Sequence, residues 1–122
     1  MQHLKDLGYQ VVSLDTIIDG LVRNQPLADN AVAITFDDGF ANVFTNARPI
    51  LKEFNYPYTM FLGPALIDRR EGPVLSWPQI QTMQQEGVII ANHSSYHHRL
   101  AVPNKGESKA QWRQRVKTDI LL

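Results

Sequence analysis

The amino-acid sequence reads Ala31-Val32-Ala33-Ile34-Thr35-Phe36-Asp37-Asp38-Gly39 at the point that decides its fold. The part of this stretch before the two aspartates is an apolar run, which is typical of a strand buried on both faces of a parallel sheet. Gly39 favours a tight exit from the strand, because glycine adopts backbone angles that other residues avoid. The stretch therefore predicts a buried strand over residues 31–36 with a pair of carboxylates at its carboxyl end.

Strand and helix signals alternate along the rest of the chain. Short apolar runs predict further strands over residues 9–12, 58–62 and 88–91. Stretches with helical periodicity separate these runs, and this alternation indicates an α/β fold with a parallel sheet and crossover helices. In such sheets the functional side chains gather at the carboxyl ends of the strands.

Capping residues and prolines predict where the helices begin. Ser13 is a candidate cap for a helix that follows the first strand. Ser76 and Gln79 have the spacing of a capping box, which predicts a helix from there to Gly87. Pro49 lies within a helical pattern over residues 43–54 and predicts a kink or a new start. Residues 63–73 are rich in Gly, Pro and charge, and predict a loop.

The last part of the chain predicts an amphipathic helix. Trp112, Val116 and Ile120 recur every fourth residue within 107–122 and form one apolar stripe. The pattern stops on apolar residues without a cap or a breaker. We therefore expect residues 1–122 to be part of a longer domain that is truncated at the C-terminus.

The composition limits the classes of function. The 122 residues include 12 Lys and Arg against 12 Asp and Glu, which argues against a nucleic-acid-binding surface with its usual basic excess. No apolar run approaches the roughly 20 residues that a membrane-spanning helix needs. The absence of cysteine excludes disulfides, a thiolate nucleophile and cysteine-ligated zinc. Any metal would have to be held by His, Asp and Glu.

Asp37 and Asp38 form the first candidate functional motif. Adjacent residues of a regular strand point to opposite faces, so the two carboxylates share a pocket only if the strand ends before them. Two carboxylates this close repel each other unless a cation is bound or one of them takes up a proton. A metal ion would remove the repulsion and leave the second Asp free as a base. The alternative is a simple Asp-Asp-Gly turn, since both residue types are common in turns.

The second candidate motif follows the strand predicted over residues 88–91. His93 and His97 have the spacing of helical zinc sites, because residues four apart on a helical turn face the same way. His98 competes with His97 if the segment is a loop, and a solvated polar loop without metal is the alternative. One Asp and two His would leave a coordination position open for water, as in catalytic metal sites.

These two motifs resemble the first motifs of the polysaccharide deacetylase family, which is the NodB-homology domain of carbohydrate esterase family 4. The resemblance is carried by Thr35-Phe36-Asp37-Asp38-Gly39 and by His93-Ser94-x-x-His97, with further similarity over residues 9–14 and 75–77. It implies a distorted (β/α) barrel, about half of which is present in this chain. It also implies a divalent metal, with zinc as the first choice among the transition metals.

The resemblance implies a role for each residue of the two motifs. The implied metal ligands are Asp38, His93 and His97, with His98 as the alternative to His97. Asp37 is implied to be the general base, and Ser94 to stabilise the loop that carries the histidines. The later motifs of the family supply an Arg that orients the base, an aromatic wall and a His acid, and they have no counterpart in these residues.

The implied function is the removal of N-acetyl groups from a polysaccharide that contains N-acetylglucosamine. An N-acetylated glycan is the implied partner, and the resemblance points to a location outside the cytoplasm or in the cell envelope. A half-barrel would expose two sheet edges, so we expect the isolated chain to self-associate. Because the Arg and the His acid of the later motifs are missing, we also expect it to have little activity alone.

Two other functions are compatible with the motifs. One is a catalytically incomplete relative that binds a glycan or a metal without turnover. The other is a metal-dependent phosphoesterase, although such a site usually adds basic groups or backbone amides near the metal. Arg69 and Arg70 are the candidate basic pair, and they are predicted to be a solvated charge cluster.

Overall fold

The structure is a computed structural model that describes residues 1–70 and 72–121. Its helices are α1 (Gln2–Asp6), α2 (Leu14–Arg23), α3 (Arg48–Glu53), α4 (Pro64–Arg69), α5 (Trp77–Gln85) and α6 (Lys109–Leu121). Its strands are β1 (Gln10–Val11), β2 (Ala31–Val32), β3 (Ile34–Phe36), β4 (Tyr58–Leu62) and β5 (Ile89–Asn92). A π-helical segment, Val43–Ala47, leads directly into α3. No helix in the described ranges is both long and apolar enough to cross a membrane.

The strands form two small parallel sheets. β1 pairs with β2 in one sheet, and the other sheet has the order β3-β4-β5. Connections that contain helices join β3 to β4 and β4 to β5, as parallel pairing requires. The predicted alternation of strand and helix is thus confirmed as a mixed α/β arrangement of parallel strands.

The carboxyl ends of the three-stranded sheet lie side by side. Leu62 at the end of β4 is opposite Asn92 at the end of β5, and Phe36 at the end of β3 is opposite Met60. The residues that come directly after β3 and β5 are the two predicted motifs. The register of the sheet therefore brings both motifs to the same edge.

The hydrophobic core packs around β4, the central strand of this sheet. Met60 of β4 and Met83 of α5 have no exposed surface. The buried hydrophobic residues are Val43, Leu51, Tyr58, Met60, Leu62, Ile67, Leu75, Ile80, Met83 and Val88. Because most of them come from β4 and from the helical segments around it, the core holds in place the strand ends that carry the motifs.

The stretch over residues 31–36 is not one buried strand. Ala33 separates β2 from β3, and these two strands belong to different sheets. Their residues are half-buried, or exposed in the case of Thr35. The prediction of a continuous strand buried on both faces is therefore wrong, because an apolar run does not show where a chain leaves one sheet and joins another.

The predicted helix starts are confirmed. Ser13 Oγ caps α2 by accepting a hydrogen bond from the Thr16 N–H at 3.2 Å. The Ser76 N–H donates to Gln79 Oε1 at 2.9 Å, which is the return bond of the predicted capping box at α5. Pro49 lies in the first turn of α3, so it marks a new start after the π-helical segment.

The predicted loop over residues 63–73 contains α4. Pro64 is the first residue of this helix, where its fixed φ is favourable and its missing N–H is not needed. Ile67 is 3% exposed and anchors α4 to the core. The loop prediction is wrong because this proline begins a helix and does not break one. Glu71 of the predicted loop lies outside the described residues.

The buried face of α6 differs from the predicted stripe. Trp112 and Val116 are half-buried, but Ile120 is 50% exposed and its neighbour Asp119 is 1% exposed. Seven residues turn a helix by about 700°, so Asp119 lies almost directly in line with Trp112. The prediction is therefore wrong for Ile120, and Leu122 of the predicted helix lies outside the described residues.

Candidate metal centre and active site

Asp38, His93 and His97 converge at the carboxyl edge of the three-stranded sheet. Asp38 Oδ1 lies 3.4 Å from His93 Nε2 and 3.2 Å from His97 Nε2. All three ligand atoms lie within 4.8 Å of one another. The two imidazole rings are tilted by 36° with their centroids 5.0 Å apart. The structure thus brings together the three side chains that the family resemblance implies as ligands.

This donor set fits a divalent metal. Asp38 Oδ1 is buried and has no hydrogen-bond partner among the described residues, although two imidazole nitrogens lie close to it. A buried carboxylate oxygen without a partner is unfavourable, and a cation would satisfy it. A tetrahedral zinc with bonds of about 2.0–2.1 Å separates its ligand atoms by about 3.4 Å, close to the distances at Asp38. Three protein ligands also leave a fourth position for water or substrate.

A tight turn after β3 positions Asp38. Asp38 and Gly39 both have left-handed backbone angles, with φ of 65° and 76°. The Gly39 N–H donates to the Asp37 carbonyl at 2.8 Å. The left-handed angle of Gly39 favours glycine, and a Cβ there would lie 2.7 Å from Leu62 Cδ2, so a larger residue would also force the Leu62 side chain to shift. The alternative of an Asp-Asp-Gly turn is therefore correct for the backbone and compatible with the ligand prediction for the side chain.

The His loop, residues 93–98, is not a helical turn. The His93 N–H donates to the Leu62 carbonyl at 2.9 Å, which fixes the start of the loop beside the end of β4. Ser94 and His97 have φ of 58° and 55°, a left-handed conformation that is uncommon for residues other than glycine. His93 and His97 converge as predicted, but the predicted reason is wrong. Left-handed residues, and not helical periodicity, bring the two rings together.

His98 is directed away from the cluster that contains Asp38. Its Nδ1 lies 3.2 Å from Asp119 Oδ2 of α6. Its ring is stacked on that of Tyr96, with centroids 5.4 Å apart and an interplanar angle of 14°. The segment is a loop, the condition under which His98 could compete, yet the histidine beside Asp38 is His97.

The start of the His loop packs closely against the start of α4. The Ser94 N–H donates to Asn92 Oδ1 at 2.7 Å, and the Ala65 N–H donates to the Ser95 carbonyl at 3.0 Å. A Cβ at Gly63 would lie 3.2 Å from the Ser94 carbonyl oxygen, so glycine allows a close approach of the two backbones. The backbone of Ser94 thus takes part in holding the loop, and the role of its hydroxyl stays a prediction.

Asp37 lies beside the cluster and is exposed to solvent. It lines a cavity of about 500 Å³ together with Asp38, and Phe40, Asn42 and Asn46 line the same cavity. Asp37 is not one of the three converging ligands. The arrangement therefore leaves one carboxylate of the pair free beside the candidate metal position.

Two charged residues contact the His loop without having been predicted there. Asp119 accepts a hydrogen bond from the Tyr96 N–H at 2.6 Å. The Arg69 guanidinium lies 4.9 Å from the centroid of the Tyr96 ring, so Arg69 is not merely part of a solvated charge cluster. The only sequence signal for Asp119 is its place seven residues after Trp112, on the same helix face. No sequence signal indicates the contact of Arg69.

The polysaccharide deacetylase family matches residues 24–120 of the chain. The protein YxkH of Bacillus subtilis (strain 168) is 30% identical over 97 residues, which are 80% of this chain and 34% of that protein. The poly-beta-1,6-N-acetyl-D-glucosamine N-deacetylase of Escherichia coli (strain K12) is 28% identical over 107 residues, which cover 75% of this chain and 16% of that enzyme.

Two solved structures are similar to this chain. The deacetylase domain of BpsB from Bordetella bronchiseptica has a TM-score of 0.80 at 27% identity, over 98% of this chain and 58% of that chain. The de-N-acetylase from Aggregatibacter actinomycetemcomitans has a TM-score of 0.82 at 28% identity, over 95% of this chain and 56% of that chain. These similarities confirm the predicted fold class, the α/β fold of the polysaccharide deacetylases.

The chain spans only part of each of these proteins, 34% and 16% of the curated relatives and just over half of the solved chains. The family match nevertheless includes both motifs, since it runs from residue 24 to residue 120. The three-stranded sheet, the strand β2 and the whole candidate metal centre lie within the matched residues. The chain belongs to the polysaccharide deacetylase family.

Proposed function

We propose that the protein is a metal-dependent hydrolase that removes N-acetyl groups from a polysaccharide containing N-acetylglucosamine. The main support is the convergence of Asp38 Oδ1 with the Nε2 atoms of His93 and His97, next to an exposed Asp37. Family membership makes a polysaccharide the expected substrate. One relative is named for its action on poly-beta-1,6-N-acetyl-D-glucosamine, and this polymer is the first substrate to test.

Asp38, His93 and His97 are proposed to hold the metal. Zinc is the first choice, because one carboxylate and two imidazoles form a three-ligand set of the kind found in catalytic zinc sites. A bound divalent metal supplies a Lewis acid that polarises the acetamide carbonyl and lowers the pKa of water.

Asp37 is proposed to be the general base. Its carboxylate accepts a proton from the attacking water while the water oxygen bonds to the acetamide carbon. The resulting tetrahedral carbon then loses the C–N bond, so that acetate leaves and the amine gains a proton. We assign no residue to donate that proton, since His98, the one candidate close to the ligands in sequence, has its Nδ1 beside Asp119.

The cavity beside Asp37 is proposed to receive the sugar that carries the acetamide. The residues that line it include the aromatic Phe40 and the polar Asn42 and Asn46. An apolar surface with a few polar groups is typical of small-ligand sites, and a sugar offers both apolar C–H faces and hydroxyls to such a surface.

Several wider statements stay predictions. An envelope polysaccharide as substrate would place the protein outside the cytoplasm or in the cell envelope. We also propose that residues 1–122 form part of a domain and that they self-associate through exposed sheet edges. Sedimentation of the 122-residue chain would check the last of these.

Acetate release from a β-1,6-linked N-acetylglucosamine oligosaccharide tests the proposed function in the full-length protein. We expect release to be lost after treatment with a chelator and restored by added zinc. His3→Ala is the matched control, because His3 lies outside the ligand cluster, and it should retain zinc binding and activity. Unchanged acetate release from metal-free protein would contradict the proposal, and so would phosphate release from a phosphoester in place of acetate release.

A further inference from the structure

Asp119 is a buried carboxylate that the proposed chemistry does not use. Its side chain is 1% exposed and lies on the inner face of α6. Burying a carboxylate is unfavourable unless hydrogen bonds or charges compensate for the lost water. The groups that contact Asp119 therefore indicate why an acidic residue is found there.

Three contacts join Asp119 to the His loop. Its backbone carbonyl accepts a hydrogen bond from the Ser95 N–H at 2.7 Å. Its Oδ1 accepts one from the Tyr96 N–H at 2.6 Å. Its Oδ2 lies 3.2 Å from His98 Nδ1, a contact that is close but not a hydrogen bond, so Oδ2 has no hydrogen-bond partner among the described residues. A single residue of α6 thus contacts the loop at three points.

These contacts fall on the part of the loop that determines where the candidate ligands point. Ser95 and Tyr96 are the last two of the three residues between His93 and His97. Two residues of the loop, Ser94 and His97, have left-handed backbone angles, and such a conformation persists only where surrounding contacts impose it. A charged acceptor forms a stronger hydrogen bond with a backbone N–H than a neutral one does.

We propose that Asp119 is a positioning residue for the metal centre. It holds the N–H groups of Ser95 and Tyr96, and thereby the loop conformation in which His93 and His97 face Asp38. The metal-related part of this inference rests on the proposed function. The part that concerns the loop conformation does not depend on a metal.

Arg115 provides a matched control within the same helix. It donates to Glu107 at 2.8 and 2.9 Å and to the Arg99 carbonyl at 3.0 Å. Arg115 therefore anchors α6 to the segment that follows His98, whereas Asp119 anchors it to the segment between the candidate ligands. Arg115→Gln perturbs the attachment of α6 without touching the His loop between positions 93 and 97.

The test uses the full-length protein and two readouts. Zinc affinity is measured by calorimetry, and hydrogen exchange of the Tyr96 amide is measured in metal-free protein, for wild type, Asp119→Ala, Asp119→Asn and Arg115→Gln. We expect Asp119→Ala to lower zinc affinity by about 10- to 100-fold, as is typical of residues that support metal ligands. We also expect it to accelerate exchange at Tyr96, because this N–H loses its acceptor.

The other two variants separate positioning from general destabilisation. Asp119→Asn keeps an acceptor oxygen but loses the charge. Its zinc affinity should therefore be clearly higher than that of Asp119→Ala, yet at least about threefold lower than that of wild type. Arg115→Gln should leave both zinc affinity and Tyr96 exchange unchanged. If Asp119→Ala does not fold, as judged by circular dichroism, Asp119→Asn and Arg115→Gln still give a decisive comparison.

Two results would overturn the inference. One is wild-type zinc affinity in the folded Asp119 variants, and the other is an equal loss of affinity in Arg115→Gln. A wild-type protein that fails to bind zinc would instead overturn the proposed function. In that case the exchange of the Tyr96 amide still decides whether Asp119 holds the loop, and unchanged exchange in the Asp119 variants would reject that as well.

Discussion

Two charged clusters lie at opposite ends of β4, and they differ in whether their carboxylates have partners. Near the first residue of β4, Glu86 accepts two hydrogen bonds from Arg48 at 2.6 Å and one from Lys52 at 2.8 Å. We call Arg48, Lys52 and Glu86 the paired cluster. Beyond the last residue of β4, the metal-site cluster of Asp38, His93 and His97 has a buried carboxylate oxygen without a hydrogen-bond partner among the described residues.

The electrostatics of the two clusters explain why only one is a candidate active site. Hydrogen bonds from Arg48 and Lys52 lower the pKa of Glu86 from its ordinary 4.5 to about 2. The paired cluster adjoins a cavity of about 430 Å³, but its carboxylate is already neutralised by its own cations. In the metal-site cluster, Asp38 Oδ1 has no hydrogen-bond partner in the part of the chain that the structure describes, and the metal that we propose would satisfy it. A cavity beside charged groups is thus a weaker sign of function than a buried group without a partner.

The largest expected effect is on acetate release, after replacement of Asp37, the exposed carboxylate beside the metal-site cluster. Asp37→Asn should lower acetate release by about 10²- to 10⁴-fold, the usual contribution of a general base. Its zinc affinity, measured by calorimetry, should stay at the wild-type value because all three candidate ligands remain. Loss of zinc in this variant would mean that Asp37, and not only Asp38, is a ligand.

Replacing Asp38 with Asn compares the contributions of the two clusters to zinc binding. Asp38→Asn should weaken zinc binding by more than about 100-fold, beyond the range typical of residues that merely support ligands, because an amide is a poorer ligand than a carboxylate. The matched control is Glu86→Gln, which neutralises a carboxylate of the paired cluster and should leave zinc affinity unchanged. Similar affinities in the two variants would remove the distinction between the clusters.

The two adjacent histidines test the geometry of the metal-site cluster. His97→Ala should lower zinc affinity at least about 10-fold, because its Nε2 lies 3.2 Å from Asp38 Oδ1. His98→Ala should change the affinity by less than about threefold, since His98 contacts Asp119 instead. Calorimetry on both variants decides the question, and the reverse order would assign the ligand role to His98.

The smallest effect is a pH dependence of stability that belongs to the paired cluster. Because the folded state lowers the pKa of Glu86 to about 2 from 4.5, its stabilisation is present above pH 4.5 and lost as the pH falls towards 2. Hydrogen bonds from Arg115 likewise lower the pKa of Glu107 from 4.5 to about 2, so its stabilisation is lost over the same pH range. The urea concentration at the midpoint of unfolding is measured at pH 7, 4.5, 3 and 2. As the pH is lowered, this midpoint should fall less steeply in Glu86→Gln than in wild type. Parallel curves would show that the ion pair does not persist in solution.

Local sequence was sufficient to predict the bounds of an element wherever the residues within and next to that element determine them. The bounds of β4 are those predicted, since an apolar run is enclosed there by Pro57 and Gly63. The caps at Ser13 and Ser76 follow from side chains that bond within one turn. Local sequence was insufficient for β2 and β3, because the break between them depends on which sheet each joins. It was also insufficient for α4, whose Pro64 is compatible with either a loop or a helix start.

Sequence alone determined which residue types the candidate site offers and predicted that its two motifs lie at one edge of the sheet. The two motifs directly follow predicted strands of a parallel sheet, and parallel strands end at a common edge, so Asp38 and His93 were expected at the same edge of the sheet. Residue type then restricted the site to oxygen and nitrogen ligands.

Tertiary structure alone decided that His97, and not His98, lies beside Asp38. It also decided that Asp119 contacts the loop between the candidate ligands His93 and His97. Neither result follows from periodicity, because left-handed backbone angles at Ser94 and His97 turn the loop. The Tyr96 N–H bonds to a side chain 23 positions away in sequence. Such contacts exist only when α6 packs against the loop, and the free energy of that packing depends on the whole fold, which no local pattern encodes.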